Sequence, residues 1–363
     1  VVNKSLRPNP DVESLQPPDG ADTLHPEPET LIESRGVRLE VLRRLANRSI
    51  VAVEDLGRDE VVELCRLAAL LESIEISPYR PLGGRIVLTA FFEASTRTRI
   101  SFESAVLRLD GRVISIPDGQ LTGVKKGESL EDIGEMFNAY GDLVVMRHTE
   151  TDSVDRLRVN LRLPLINAGN GSGEHPTQAL ADWYALSKWR PSLMDRNDDT
   201  DPGLNIGILG TPGSMRAVKS FLLMALLFRE HIDRITVVSE MADPFGDDLR
   251  GPIDRAGVPC EITNDVRGRL PELDVIYMNS IAFLGDSYRT LDARYKLNAD
   301  SPIKPGAVVL HPLARLDELD TSLDQTSHNL YWSQAHGAVF VRQALLMAIL
   351  NRTDRLPETA PVE

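Results

Sequence analysis

Residues 84–109, "GRIVLTAFFEASTRTRISFESAVLRL", pass from an apolar run, through a short polar turn, into a helical pattern. The first nine of them, 84–92, read as a strand because β-branched and aromatic side chains dominate the run. Residues 96–109 read as a helix. A strand that feeds straight into a helix is the unit from which parallel sheets covered by helices are built.

The rest of the chain repeats that unit. "GDLVVMRH" (141–148) and "LPLINAG" (163–169) are predicted strands, and "HPTQALADWYALSKW" (175–189) is a predicted helix with Pro176 in its first turn. Upstream, Val61, Val62, Leu64, Cys65, Leu67 and Ala68 recur at helical spacing behind Asp59, which the pattern nominates as N-cap. A polar break, "DRNDDTDPG" (195–203), precedes a second series. There the predicted strands are 204–210, 234–240, 273–278 and 307–311, with a helix over 215–230 and a last one over 340–351. Two such series predict an α/β fold of two doubly wound parallel-sheet domains joined by helices, with ligands bound at the C-terminal ends of the strands. The expected division is a flexible tail over 1–36, a first domain over 37–190 joined by the C-terminal helix 335–355, and a second domain over 191–334. The tail is inferred from six prolines and little apolar periodicity in its first thirty residues.

Composition narrows the function. The chain has 363 residues and a formal net charge of -14, so it lacks the basic surface that nucleic-acid binding requires. Its apolar runs, such as "FLLMALLF" (221–228), are too short to span a bilayer, and no membrane association is expected. No charged start precedes an apolar segment near residue 1, and the expectation is a cytoplasmic protein. Cys65 and Cys260 have no metal-ligand spacing and read as buried thiols in a reducing compartment.

The turn inside residues 84–109 carries the chemistry. A helix N-terminus presents N–H groups without partners, and its dipole favours negative charge. Ser95, Thr96 and Thr98 add hydroxyls there, and Arg97 adds a planar fork suited to phosphate oxygens. A capped helix with exposed arginines is the plainer reading; the density of donors favours a phosphate site. The turn has no glycine, which excludes a P-loop or a dinucleotide fingerprint. The glycines at 207, 210 and 213 are spaced GxxGxxG rather than GxGxxG, and Glu240 is only a weak candidate for a ribose ligand, so a Rossmann oxidoreductase is disfavoured. Three more polar groups fall at strand ends or helix starts: Arg147 with His148, His175 with Gln178, and His311 with Pro312 and Leu313.

"STRTRISFE", "HPTQALAD" and "HPLARLDE", in this order, together with "KKGESLED" (125–132) and "FVRQALLMAILNR" (340–352), resemble the aspartate/ornithine carbamoyltransferase superfamily from about residue 40 to 353. The "HPL" segment lacks the cysteine of ornithine enzymes, which places the resemblance on the aspartate branch. It implies a carbamoyl-phosphate domain and a Rossmann-like acceptor domain, with carbamoyl phosphate as donor and neither cofactor nor metal. It also implies roles. Ser95, Thr96, Arg97 and Thr98 would hold the phosphate, and Arg147 would bridge phosphate and carbonyl oxygen. His175 and Thr98 would bond that oxygen as it gains charge. Gln178 and the carbonyls of Pro312 and Leu313 would take the NH₂. Thr122 and Lys126 would lie on a loop entering a neighbouring subunit's site, making a homotrimer with shared sites. Arg216 would hold an acceptor carboxylate, and Glu93 would pair with Arg216 between domains.

The chain departs from the family in two places. Ser280 and Ala282 stand where the family has Arg-x-Gln for the acceptor, and Gly285 stands where an arginine is common. Ala314 replaces a proline that follows a cis peptide bond, so a trans bond is expected there. Three functions compete. One is carbamoylation of aspartate, the step of pyrimidine biosynthesis that makes N-carbamoyl-aspartate, with Arg289 supplying the missing cation. The second, slightly favoured, is carbamoylation of another amino-acid-like amine. The third is a non-catalytic scaffold that binds carbamoyl phosphate.

Overall fold

A computed structural model of the chain describes residues 26–33, 35–119, 123–195, 202–279, 295–358 and 360–362. Two parallel sheets carry the fold. The first has strands β1 (Ile86–Phe91), β2 (Arg112–Ile116), β3 (Leu143–His148) and β4 (Leu165–Asn170), in the order β2-β1-β3-β4. The second has β5 (Leu204–Leu209), β6 (Ile232–Val238), β7 (Cys260–Thr263), β8 (Val275–Met278) and β9 (Val308–Leu310), in the order β7-β6-β5-β8-β9. Every strand pair is parallel. In each sheet the first strand in sequence lies inside, and the order reverses beside it. That switch point opens a crevice at the strands' C-terminal ends.

Helices connect and cover these strands. The ones that matter below are α1 (Arg58–Ser73), α2 (Thr96–Arg108), α3 (Leu130–Phe137), α4 (Ser153–Arg158), α5 (Pro176–Trp189), α6 (Arg216–Leu227), α7 (Asp247–Ala256) and α8 (Tyr331–Ile349). Helix α8 follows the second sheet in sequence but packs against α1, α2 and α5 of the first. It is buried on nearly every side, as a helix enclosed by neighbours should be. Gly337 permits that closeness: a Cβ there would come within 2.9 Å of the Tyr184 ring on α5.

Each predicted strand and helix is present, with corrections at the edges, and the structure adds β2, β7, α3, α4 and α7, which the sequence pattern did not predict. Helix α1 starts at Arg58 behind Gly57, not behind Asp59, because the Glu60 carboxylate accepts the Gly57 N–H at 2.9 Å. Helix α8 starts at Tyr331, nine residues before the expected 340. The tail expected over 1–36 ends sooner, since Pro28–Leu31 form a 3₁₀ turn and Leu31 and Ile32 are buried in the main core. Cys65 is buried on α1, where burial pushes its thiol up to about 12, and Cys260 is half-buried. Among the described residues no helix is long and apolar enough to cross a membrane.

Candidate active site

Strand β1 ends at Phe91, β3 at His148, β4 at Asn170 and β9 at Leu310. The loops that leave these ends, with the starts of α2, α5 and α6, enclose a cavity of about 780 Å³. Its wall includes Ser95, Thr96, Arg97, Thr98, Arg147, His175, Gln178, Arg216, Pro312 and Leu313. Ser95 is the N-cap of α2 and its side chain makes no capping bond, so the first-turn N–H groups and the hydroxyls are left to the cavity. Of these four residues only Thr98 is buried; Thr96 and Arg97 are exposed.

Two arginines, one from a strand of the first sheet and one from a helix beside the second, meet on one carboxylate. Arg147, at the end of β3, donates through Nη2 to Glu93 Oε1 at 2.8 Å. Arg216, the first residue of α6, donates through Nη2 to the same oxygen at 2.6 Å and through Nη1 to Oε2 at 2.9 Å. Arg216 Nη1 also donates to the Gly171 carbonyl at 2.9 Å. The Glu93–Arg216 pair expected between domains is present. Burial works to raise the Glu93 carboxyl, but the bonds and charges of Arg216 and Arg147 outweigh it and hold it below the ordinary range. Burial lowers the Arg147 pKa, with the Arg216 charge adding to it. The cavity therefore concentrates positive charge near one anion of the protein's own.

Gly169, which the sequence reading passed over, makes room for both forks. Its φ is 116°, and a Cβ would come 3.1 Å from Arg216 Nε and 3.2 Å from Arg147 Nη1. The expected result for Gly169→Ala is a folded protein whose kcat/KM is down by about tenfold or more, from a positive φ that only glycine adopts freely and two displaced guanidiniums. Steady-state kinetics alongside a circular-dichroism melt separate the two effects.

His175 caps α5 and is almost fully buried. Its N–H donates to Ser220 Oγ of α6 at 2.8 Å, which ties the first sheet's unit to the second. Burial, and then the charges of Arg147, Arg342 and Arg216, hold its imidazole well below the ordinary value, so it stays neutral. A neutral imidazole keeps one N–H for donation.

The 311–313 segment is braced from behind. His311 Nδ1 accepts the Leu313 N–H at 2.8 Å, which leaves Nε2 as the donor to Glu318 Oε1 at 3.0 Å. The Leu313–Ala314 peptide is cis and Leu313 has a φ of 55°, which corrects the expected trans bond. The loop's shape is set by these brackets and by the Arg315–Asp324 ion pair beyond them, not by a proline ring.

Several cavity residues were not foreseen. Arg342 of α8 lines the wall, donates to Ser101 Oγ at 2.6 Å and lies 4.9 Å from the Phe102 ring. Asn279 and Gln334 line it too. Arg342 falls inside the quoted "FVRQALLMAILNR" motif, so its position was available as a signal; its partner Ser101 lies 241 residues away. Lys126 ends the 3₁₀ turn Gly123–Lys126, is exposed, and is not part of the cavity wall. Thr122, Ser280, Ala282, Gly285 and Arg289 lie outside the described residues.

Comparison with known proteins matches both halves of the chain to one family. Residues 48–188 match the family model described as aspartate/ornithine carbamoyltransferase, carbamoyl-P binding domain. Residues 202–349 match the corresponding Asp/Orn binding domain. The aspartate carbamoyltransferase catalytic subunit of Chromobacterium violaceum is 35% identical over 312 residues, 84% of this chain and 99% of that one. The subunit of the same name from Pyrobaculum islandicum is 35% identical over 310 residues, 84% and 98% of the two chains. Among solved structures, aspartate transcarbamoylase from Trypanosoma cruzi with carbamoyl aspartate and phosphate superposes with a TM-score of 0.74 at 30% identity, covering 85% of this chain and 98% of that one. With both halves matched and the cavity lying between them, the chain belongs to the aspartate/ornithine carbamoyltransferase family, on its aspartate carbamoyltransferase side.

Proposed function

We propose that this carbamoyltransferase moves the carbamoyl group of carbamoyl phosphate onto the amino group of aspartate, giving N-carbamoyl-aspartate and phosphate. The observation that carries the reading is the convergence of a helix N-terminus and two guanidinium forks on one cavity. A doubly charged phosphoryl group fits the α2 end, and a carboxylate fits Arg216 once Glu93 gives way.

Ser95, Thr96, Arg97 and Thr98 then hold the phosphate. Arg147 spans phosphate and carbonyl oxygen, and neutral His175 with Thr98 donates to that oxygen as it gains charge. Gln178 and the Pro312 and Leu313 carbonyls accept from the NH₂. The amine nitrogen bonds to the carbonyl carbon, the bond from that carbon to the phosphate oxygen breaks, and the amine proton departs with hydrogen phosphate. We take residues 37–190 with 335–355 as the donor-binding unit and 191–334 as the acceptor-binding unit.

Relatives named for aspartate and the Arg216 fork support aspartate as acceptor. Ser280 and Ala282 support a second reading, an amine without a second carboxylate, because neither side chain can replace Arg or Gln as a long donor. Phosphate release from carbamoyl phosphate, measured across a panel of amino acids, decides. Saturable turnover with aspartate above all others is the expected result; turnover only with monocarboxylate amines selects the second reading.

A homotrimer with shared sites is part of the proposal. Helix α2 and edge strand β2 expose Ile100, Leu107 and Ile114 at 51%, 61% and 45%, apolar side chains that another copy of the chain would cover, Ile100 at the rim of the cavity itself. Lys126, exposed and outside its own chain's cavity wall, would then serve a neighbour. Mixing inactive Lys126→Ala and His175→Ala proteins under exchange conditions should restore some activity, since mixed assemblies contain intact sites. A mixture as dead as its components argues that Lys126 does not act across subunits.

A further inference from the structure

The Gln178 carboxamide is held from behind. Its Nε2 donates to Asp182 Oδ1, one turn later on α5, at 2.7 Å. The same oxygen accepts from Gln334 Nε2 of α8 at 2.5 Å, and Gln334 Oε1 in turn accepts the His311 N–H at 2.9 Å. Asp182 is fully buried; both glutamines bond its Oδ1, and its Oδ2 makes no hydrogen bond of ordinary length among the described residues, although the Tyr277 hydroxyl interacts with the carboxyl. Burial pushes its carboxyl up to about 7, against the bonds from Gln178 and Gln334, the nearby Tyr277 hydroxyl and the Arg342 charge.

A carboxylate oxygen only accepts, so each glutamine must turn its NH₂ toward Asp182 and its carbonyl oxygen away. A proton on Asp182 does not reverse this, because Oδ2, which meets neither glutamine, takes it and Oδ1 goes on accepting. Gln178 Oε1 is therefore the amide atom left for the cavity. The 311–313 segment is tied to the same carboxylate through Gln334.

We propose that Asp182 is the positioning residue through which this site chooses a carbamoyl group over an acetyl group. It fixes Gln178 Oε1 directly, and the Pro312 and Leu313 carbonyls through Gln334 and His311, as acceptors for the donor's NH₂. The inference rests on the carbamoyl phosphate reading of the cavity. A methyl group in place of NH₂ offers these acceptors nothing and leaves them unpaired, which is how hydrogen-bonding sites reject close analogues.

Two stable phosphonates test it: phosphonoacetamide and acetonylphosphonate, which differ only in NH₂ against CH₃. Inorganic phosphate reports on the remainder of the cavity. The unmutated protein is expected to bind the amide about tenfold or more tighter than the ketone. In Asp182→Ala that preference should shrink to about threefold or less while the phosphate Kd moves by less than about threefold. Asp182→Asn keeps an acceptor oxygen in place and should keep the preference.

An Asp182→Ala protein with its preference intact overturns the proposal. So does one that loses phosphate binding in proportion, since the role is then merely structural. Failure of the unmutated protein to bind any of the three probes would instead sink the carbamoyl phosphate reading. If Asp182→Ala does not fold, NMR of the glutamine-labelled unmutated protein decides. The Gln178 carboxamide protons should exchange slowly with water, with and without phosphonoacetamide; exchange as fast as a surface glutamine's overturns the inference.

Discussion

Arg147→Ala is expected to lower kcat by about 10²–10³, the usual cost of removing a donor aimed at a developing oxyanion. The loss should fall on kcat more than on donor binding, because in the proposed binding mode phosphate would retain the α2 N-terminus, its hydroxyls and Arg97. The structure holds Arg147 in the cavity wall, where the proposed role requires it. It leaves β3 at the register partner of Phe91, the last residue of β1, and its Nη1 donates to the Ala168 carbonyl at 3.3 Å. With only 11% of its side chain exposed, Arg147 lies where charge interactions are strong. Arg147→Lys should recover only part of the loss, since an ammonium has no planar fork to span two oxygens. A kcat within threefold of the parent for the alanine variant would remove Arg147 from the chemistry.

How much of this was legible follows from where each residue's partners sit. The strand-to-helix units were legible because their apolar runs are buried on both faces, β3 and β5 nearly throughout. Strand β2 was not, because "RVISI" is an edge strand with mixed exposure and no clean alternation. Helix α7 was hidden by Gly251 and Pro252, residues that ordinarily interrupt a helix.

The site divides in the same way. Hydroxyls, arginines and histidines gathered within a few residues announce a helix N-terminus by local chemistry alone. Asp182 looked like one more polar position on α5, and its meaning comes from Gln334, 152 residues on. Gly169 is silent until two arginines, one from β3 and one from α6, arrive beside it. Local chemistry can be read from a string; a role conferred by distant neighbours cannot.

Arg216→Ala should act on the opposite side of the reaction. With Glu93 displaced, the Arg216 fork is free for the acceptor's carboxylate, and losing two charge-assisted bonds should cut kcat/KM for the acceptor by about 10²–10³. The carbamoyl phosphate Kd should change by less than about threefold, because Arg216 belongs to the acceptor half. Among the described residues the variant leaves Glu93 bonded only to Arg147, so the carboxylate competes harder for the fork that the proposed donor mode uses. If that competition dominates, donor affinity falls as well, and Glu93→Gln in the Arg216→Ala background should restore it. The two causes separate further with an amine that carries no carboxylate. Its slow transfer should be nearly unaffected by Arg216→Ala if the fork serves the acceptor, and should fall as steeply as aspartate's if Arg216 acts only by holding the two sheets' units together through Glu93.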